Sequence, residues 1–181
     1  MKLETDRLII RPLDESDAQS LFPIMNDPEV TANLLIPHPY PEDRVLMWIR
    51  NSTEAMDAAE RYDLGIVPKD IDRAIGICSL CHVSWEHLSA ELVYWIGKPY
   101  WGQGYITEAA RKVLEFGFMD LGLERIRVGC FPRNKASVRV IEKLGFQYEG
   151  IARSEYRKGN ERFDTLHYAI LKEDFTNASG D

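Results

Sequence analysis

The sequence predicts an α/β fold in a single domain spanning residues 1–181, and three observations carry that expectation. Strand-like and helix-like runs follow one another along the whole chain, with no linker, repeat or low-complexity stretch between them. One apolar strand-like run, residues 90–97, passes through the turn Gly102-Gln103-Gly104 straight into a run with helical spacing. With 45% hydrophobic and 28% charged residues, a chain of 181 residues buries roughly 70% of its unfolded surface around one core.

Residues 8–12 alternate as a short strand, and Asp14 is a good N-cap for a helix over residues 14–26. Pro28, Pro37, Pro39 and Pro41 remove backbone donors and break the next region into loops. Val45, Leu46, Trp48, Ile49 and Met56 form an apolar stripe on a helix over residues 42–61. Strands are predicted at residues 62–67, 73–83 and 90–96, the last two forming a hairpin across residues 84–89. Ala109, Ala110, Val113, Leu114, Phe116 and Gly117 carry helical spacing over residues 107–121, and Gly122 stops that element. A strand at 124–131, a helix at 135–144 ended by Gly145, and strands at 146–154 and 163–170 complete the pattern. The polar tail, residues 176–181, is expected to fray.

Several function classes are disfavoured by composition. No apolar run approaches the roughly 20 residues that span a bilayer. Residues 1–6 also lack the basic and apolar regions of a signal peptide, so a cytoplasmic protein without a membrane partner is expected. Cys78 and Cys81 form C-x-x-C within a strand, where positions three apart face opposite sides, so they are read as small buried hydrophobes. Cys130, near a strand end, has the same reading, with a thiol able to approach a bound cofactor. His38, His82, His87 and His167 are scattered, and no metal is expected. Net charge is −9 over residues 1–97, +4 over 98–157 and −2 over 158–181. The basic middle, with Lys98, Arg111, Arg133, Lys135, Arg139 and Lys143, suits a phosphorylated cofactor, and the acidic first half suits a cationic acceptor. An isoelectric point near 5.2 supplies no basic stripe for nucleic acid.

The glycine turn carries the chemistry. The first N–H groups of a helix lack intrahelical partners and stand at the positive end of its dipole. Gly102 and Gly104 can adopt positive φ and have no Cβ, so a bulky anion can approach the main chain. A phosphate or pyrophosphate is the implied ligand. Thr107 is placed to cap the helix or to offer its hydroxyl to a phosphate oxygen. No Gly-Lys-Ser/Thr follows the glycines, and no third glycine with a distant acidic partner is present, which disfavours P-loop NTPase and Rossmann readings.

The stretch Lys98-Pro-Tyr-Trp-Gly-Gln-Gly-Tyr-Ile-Thr-Glu-Ala109 resembles the pyrophosphate loop of the GNAT acetyltransferases, Arg/Gln-x-x-Gly-x-Gly/Ala before a long helix. Its first position is Pro99, a departure shared by the ribosomal-protein N-terminal acetyltransferase branch. A second stretch, Asn134-Lys-Ala-Ser-Val-Arg-Val-Ile-Glu-Lys-Leu-Gly-Phe146, is similar to the GNAT helix whose N-terminus lies beside the acetyl-CoA sulfur. The two motifs stand about 30 residues apart with a strand between them, and together with Thr5-Asp-Arg-Leu-Ile-Ile-Arg-Pro-Leu13 they extend the resemblance over nearly the whole chain.

The resemblance implies a mixed, mostly antiparallel sheet of six to seven strands flanked by about four helices. It also implies acetyl-CoA as co-substrate, without a metal, and transfer of its acetyl group to a primary amine, the N-terminus of a ribosomal protein being the expected acceptor. Trp95, Ile96 and Gly97 at the strand end, Gly102, Gln103, Gly104, Tyr105, Ile106 and Thr107 in the loop, and Asn134 and Lys143 are the implied cofactor-binding residues. Many members carry a tyrosine where this chain has Ile141, and in the ribosomal branch the serine at the position of Ser137 stands in for it. The attacking amine must be neutral, so a carboxylate is needed nearby, and Glu91 resembles the glutamate found there in many GNAT enzymes. Strand alternation places Glu91, Val93 and Trp95 on one face and Leu92, Tyr94 and Ile96 on the other. Tyr156 and Glu161 are secondary candidates for acceptor contact. A small-molecule amine acetyltransferase and a non-catalytic acyl-CoA-binding module share these motifs, and a monomer and a homodimer are equally compatible with them.

Overall fold

Eight strands form the framework of the computed structural model, which describes residues 1–178: β1 (Leu3–Glu4), β2 (Leu8–Pro12), β3 (Tyr62–Pro68), β4 (Gly76–Ser84), β5 (Ser89–Ile96), β6 (Arg125–Cys130), β7 (Gln147–Lys158) and β8 (Glu161–Leu171). They make one sheet in the order β1-β2-β3-β4-β5-β6-β8-β7. Every pairing is antiparallel except β5 with β6. A parallel pair needs a crossover, and the predicted helix after the glycine turn supplies it as α4 (Tyr105–Glu115). The other helices are α1 (Ala18–Met25), α2 (Pro28–Thr31), α3 (Glu42–Asp57), α5 (Lys135–Lys143) and α6 (Lys172–Ala178).

The expected mixed sheet is present, with one more strand than foreseen and two further short helices. β1 is only two residues long and carries no periodicity of its own; it exists because Leu3 and Glu4 pair with Ile10 and Ile9. Pro28 sits at the first position of α2 beneath an Asp27 cap, so a proline read as a loop signal starts a turn of helix instead. The helix predicted from Asp14 opens as a three-residue 3₁₀ turn in which Asp14 and Asp17 cap reciprocally. The helix predicted to residue 61 stops at Asp57, and Ala59 takes φ +56°. Of the tail expected to fray, residues 176–178 end α6, and the remainder lies outside the described residues.

Two layers of helix cover the sheet. Ala109, Ala110, Val113 and Leu114 of α4 and Ile141 of α5 pack against Leu64, Leu80, Leu92, Ile96, Ile126 and Val128. On the opposite face Leu21 and Met25 of α1 and Val45 and Ile49 of α3 pack against Val67, Ile77 and Trp95. The predicted alternation of β5 holds: Leu92, Tyr94 and Ile96 serve the first core, and Trp95 the second.

The junction of β5 and β6 sets up the site. The two strands pair only through Ser89, Ala90 and Glu91 against Arg125, Ile126 and Arg127. Beyond Glu91 they diverge, which leaves one edge of residues 92–96 without a partner strand.

Candidate active site

The glycine turn leads from β5 to α4 with the backbone the sequence requires. Gly102 has φ +74° and Gly104 φ +81°, a region that costs residues with a Cβ. Nothing lies within 4 Å of a Cβ built on Gly102. Gly104 is the N-cap of α4 and offers no side chain to it, so the N–H groups of the first turn are not capped. Thr107 therefore lies inside the first turn, half-buried, rather than at the cap. The chain shapes the loop from outside: the Trp101 indole N–H donates to the Ile96 carbonyl at 2.9 Å, and Gln103 Nε2 to the Pro99 carbonyl at 2.9 Å.

A residue absent from the sequence-based site, Arg7, holds this loop in place. Its guanidinium donates to the Gln103 carbonyl at 3.0 Å and to Glu108 Oε2 at 2.7 Å, and it lies 4.6 Å from the centre of the Tyr105 ring. The Thr5 hydroxyl adds a hydrogen bond to Glu108 Oε1 at 2.5 Å. Burial pushes the Glu108 carboxyl up, yet the hydrogen bonds from Thr5 and Arg7 outweigh it and hold the carboxyl below its ordinary value. The negative charge in the first turn of α4 is thus neutralised where an anion would be received.

The splay between β5 and β6 opens next to this loop. Gly97 N–H is spent on the Ile75 carbonyl at 2.9 Å, on the β4 side. By strand alternation the N–H groups of Tyr94 and Ile96, not those of Trp95 and Gly97, turn to the open side. The Trp95 side chain is 9% exposed and packs toward Trp48, 6.5 Å away ring to ring. Across the splay stands α5. Asn134 caps it, its Oδ1 accepting from Ser137 N–H at 3.1 Å. The Ser137 hydroxyl lies 2.8 Å from the Tyr94 hydroxyl. Burial pushes the Tyr94 phenol well up, and it pushes the nearby Cys130 thiol up to about 11. Lys143 is exposed at the C-terminal end of α5, and its carbonyl accepts from Arg111 of α4.

The opposite face of the splay is ionic. Glu91 Oε2 accepts from Arg127 Nη2 at 3.0 Å and lies 3.1 Å from His82 Nδ1. His82 owes its position to a bulge in β4 between Cys81 and Ser84, with φ +50°. Further along, His167 Nε2 meets Glu155 Oε2 at 2.8 Å, and the buried Thr165 hydroxyl has no hydrogen-bond partner among the described residues. Burial and the neighbouring Glu155 push the half-buried Tyr156 phenol up, whereas Glu161 is exposed at the hairpin tip. Two bridges cross above: Lys158 Nζ donates to the Thr31 and Leu34 carbonyls at 2.8 and 3.0 Å, and Arg133 to the Ala32 carbonyl.

Thus α5 meets β5 through Ser137 and Tyr94 on one face of the sheet, Glu91 lies on the other, and Lys143 ends α5 at the opposite terminus from Asn134. Arg7, Arg127 and His82 were missed because each acts on a residue in another part of the chain. Tyr94 did have a signal, since alternation puts it on the face opposite Glu91. Cys78 and Cys81 are buried free thiols, as expected. Among the described residues no group of three or more His, Cys, Asp and Glu is placed to hold a metal ion. Nor, among them, is any helix long and apolar enough to cross a membrane.

Comparison with known proteins gives the family and the fold. Residues 7–147 match the model of the acetyltransferase (GNAT) domain. An uncharacterised N-acetyltransferase of Bacillus licheniformis is 32% identical over 177 residues, covering 96% of this chain and 97% of that protein. A Bacillus subtilis relative, provisionally named a ribosomal N-acetyltransferase, is 34% identical over 100 residues, 55% of each chain. The crystal structure of a GNAT-family acetyltransferase from Bacillus anthracis superimposes with a TM-score of 0.83 at 26% identity, covering 96% of this chain and 99% of that one. The chain belongs to the GNAT acetyltransferase family and is an acetyl-CoA-dependent N-acetyltransferase.

Proposed function

We propose that the acceptor is the N-terminal amine of a protein, acetylated by direct attack on bound acetyl-CoA without an acyl-enzyme. The observation that carries the reaction is the two-sided splay, which has an uncapped helix start beside its open edge and the Glu91 carboxylate on the other face. The loop from Gly102 to Thr107 receives the pyrophosphate on backbone N–H groups, and Arg7 keeps Glu108 from repelling it. Asn134 fixes the start of α5 at the cofactor. N–H groups of Tyr94 and Ile96 polarise the thioester carbonyl. Glu91, held by Arg127 and His82, takes the proton that the amine must lose, and the Ser137 hydroxyl stabilises the departing thiolate. Holding thioester and amine in attack geometry supplies much of the rate.

A terminal protein amine as acceptor is supported by the Pro99-type loop, by Ser137 in place of the helix tyrosine, and by the name of the Bacillus subtilis relative. The acidic first half of the chain complements a cationic acceptor. Mass spectrometry of protein N-termini from cells with and without the protein tests this, followed by thiol release with matching peptides. Acetylated termini that vanish with the protein are expected. Activity confined to polyamines or amine antibiotics would transfer the same chemistry to a small-molecule acceptor, and acetyl-CoA binding with no thiol release for any amine would leave only a binding module.

A further inference from the structure

The pair formed by Tyr94 and Ser137 joins elements 43 residues apart at the point where β5 faces α5. Ser137 is 9% exposed and its N–H is already bound by Asn134, so its backbone is fixed and only its hydroxyl remains to be oriented. Ile141 lies one turn further along the same face of α5, fully buried and without a polar atom. A serine hydroxyl has a single proton. If that proton were given to a neighbouring oxygen, none would be left for a sulfur leaving group.

We infer that Tyr94 is a positioning residue for acetyl transfer, its phenol donating to Ser137 Oγ so that the serine proton is turned toward the departing sulfur. The direction follows from acidity: a phenol is a far better donor than an alcohol, and the alcohol oxygen the better acceptor. Burial, which outweighs the opposing Ser137 hydrogen bond, keeps the phenol protonated across the neutral range, so it donates without ionising. This inference rests on the role proposed for Ser137. In the transfer the amine nitrogen forms the C–N bond and the C–S bond breaks with its electron pair on sulfur. The nitrogen proton leaves through Glu91, and the thiolate, held by the Ser137 hydrogen bond, takes one proton from solvent on release. Tyr94 forms and breaks no covalent bond. It supplies from a strand the phenol that Ile141 withholds from the helix.

Turnover of Tyr94→Phe, Ser137→Ala and the double variant at saturating acetyl-CoA tests the pairing, alongside thermal melting of each. Each single variant is expected to lose about tenfold in kcat with the KM for acetyl-CoA within about twofold, and the double variant to fall no lower than Ser137→Ala. A packing role would instead shift melting or KM and leave kcat alone. Multiplicative losses in the double variant, or full turnover in Tyr94→Phe beside a crippled Ser137→Ala, overturn the inference. Full turnover in Ser137→Ala removes the serine from the reaction, and the inference with it, while Glu91→Gln independently reports whether the transfer chemistry itself stands.

Discussion

The two faces of the β5–β6 splay are built from different materials. On the proposed cofactor side the groups offered are main-chain N–H groups, delivered by two left-handed glycines and a helix start. On the proposed acceptor side they are polar side chains, Glu91, Arg127, His82, Glu155 and His167, contributed by five strands. Main-chain donors recognise a feature common to every turnover, the pyrophosphate, and need no particular side chain. Side-chain ion pairs can change from one relative to another while the sheet beneath them stays the same. In the proposed reaction the constant substrate is thus met by backbone and the variable one by replaceable residues.

Substitutions on the two sides break or sharpen that contrast. Gly104→Val has the largest expected effect, because a β-branched residue at φ +81° is strained by about 1–3 kcal/mol and deforms the loop itself. A loss of about 100-fold or more in kcat/KM for acetyl-CoA is expected, and near-normal kinetics would show that the backbone does not set this side. Glu91→Gln follows, with kcat falling about 100-fold and the KM for acetyl-CoA unchanged, since it touches only the acceptor face. Arg7→Ala raises the KM for acetyl-CoA about tenfold at constant kcat, because it acts on the loop and not on the reacting atoms.

A smaller effect is expected with pH. Because the Glu108 carboxyl is held below its ordinary value of 4.5, its stabilisation is complete above that value and drains away as pH falls through the lower folded value. Urea midpoints measured from pH 6 downward should therefore fall less steeply for Glu108→Gln than for the parent below about pH 4.5. The smallest change is Asn134→Ala, which removes a helix cap and costs about 1 kcal/mol in urea denaturation.

The same contrast explains what could be read from residues alone. Gly102, Gly104 and Asn134 act within a few residues of themselves, so spacing is enough to place the left-handed glycine turn and the capped helix. Glu91 stands out by its resemblance to the glutamate at this place in GNAT enzymes, and alternation sets its face but not its partners: Arg127 reaches it because β6 returns parallel to β5. Arg7 meets Glu108 across 101 positions, a separation at which no periodic pattern survives. Thr107 looked like a cap because Ser and Thr favour that place, yet the glycine before Tyr105 already had the required left-handed turn. Backbone geometry overruled side-chain preference there, as it did at Pro28.

The bridges from Lys158 and Arg133 to the carbonyls after α2 have a consequence for traffic. α2 is itself tied to the β5 side, where Glu29 pairs with Lys98. The proposed acceptor side therefore has the β5–β6 pairing on one side and these side-chain ties on the other. For the acceptor proposed above, these ties favour entry by a free chain end over a mid-chain side chain.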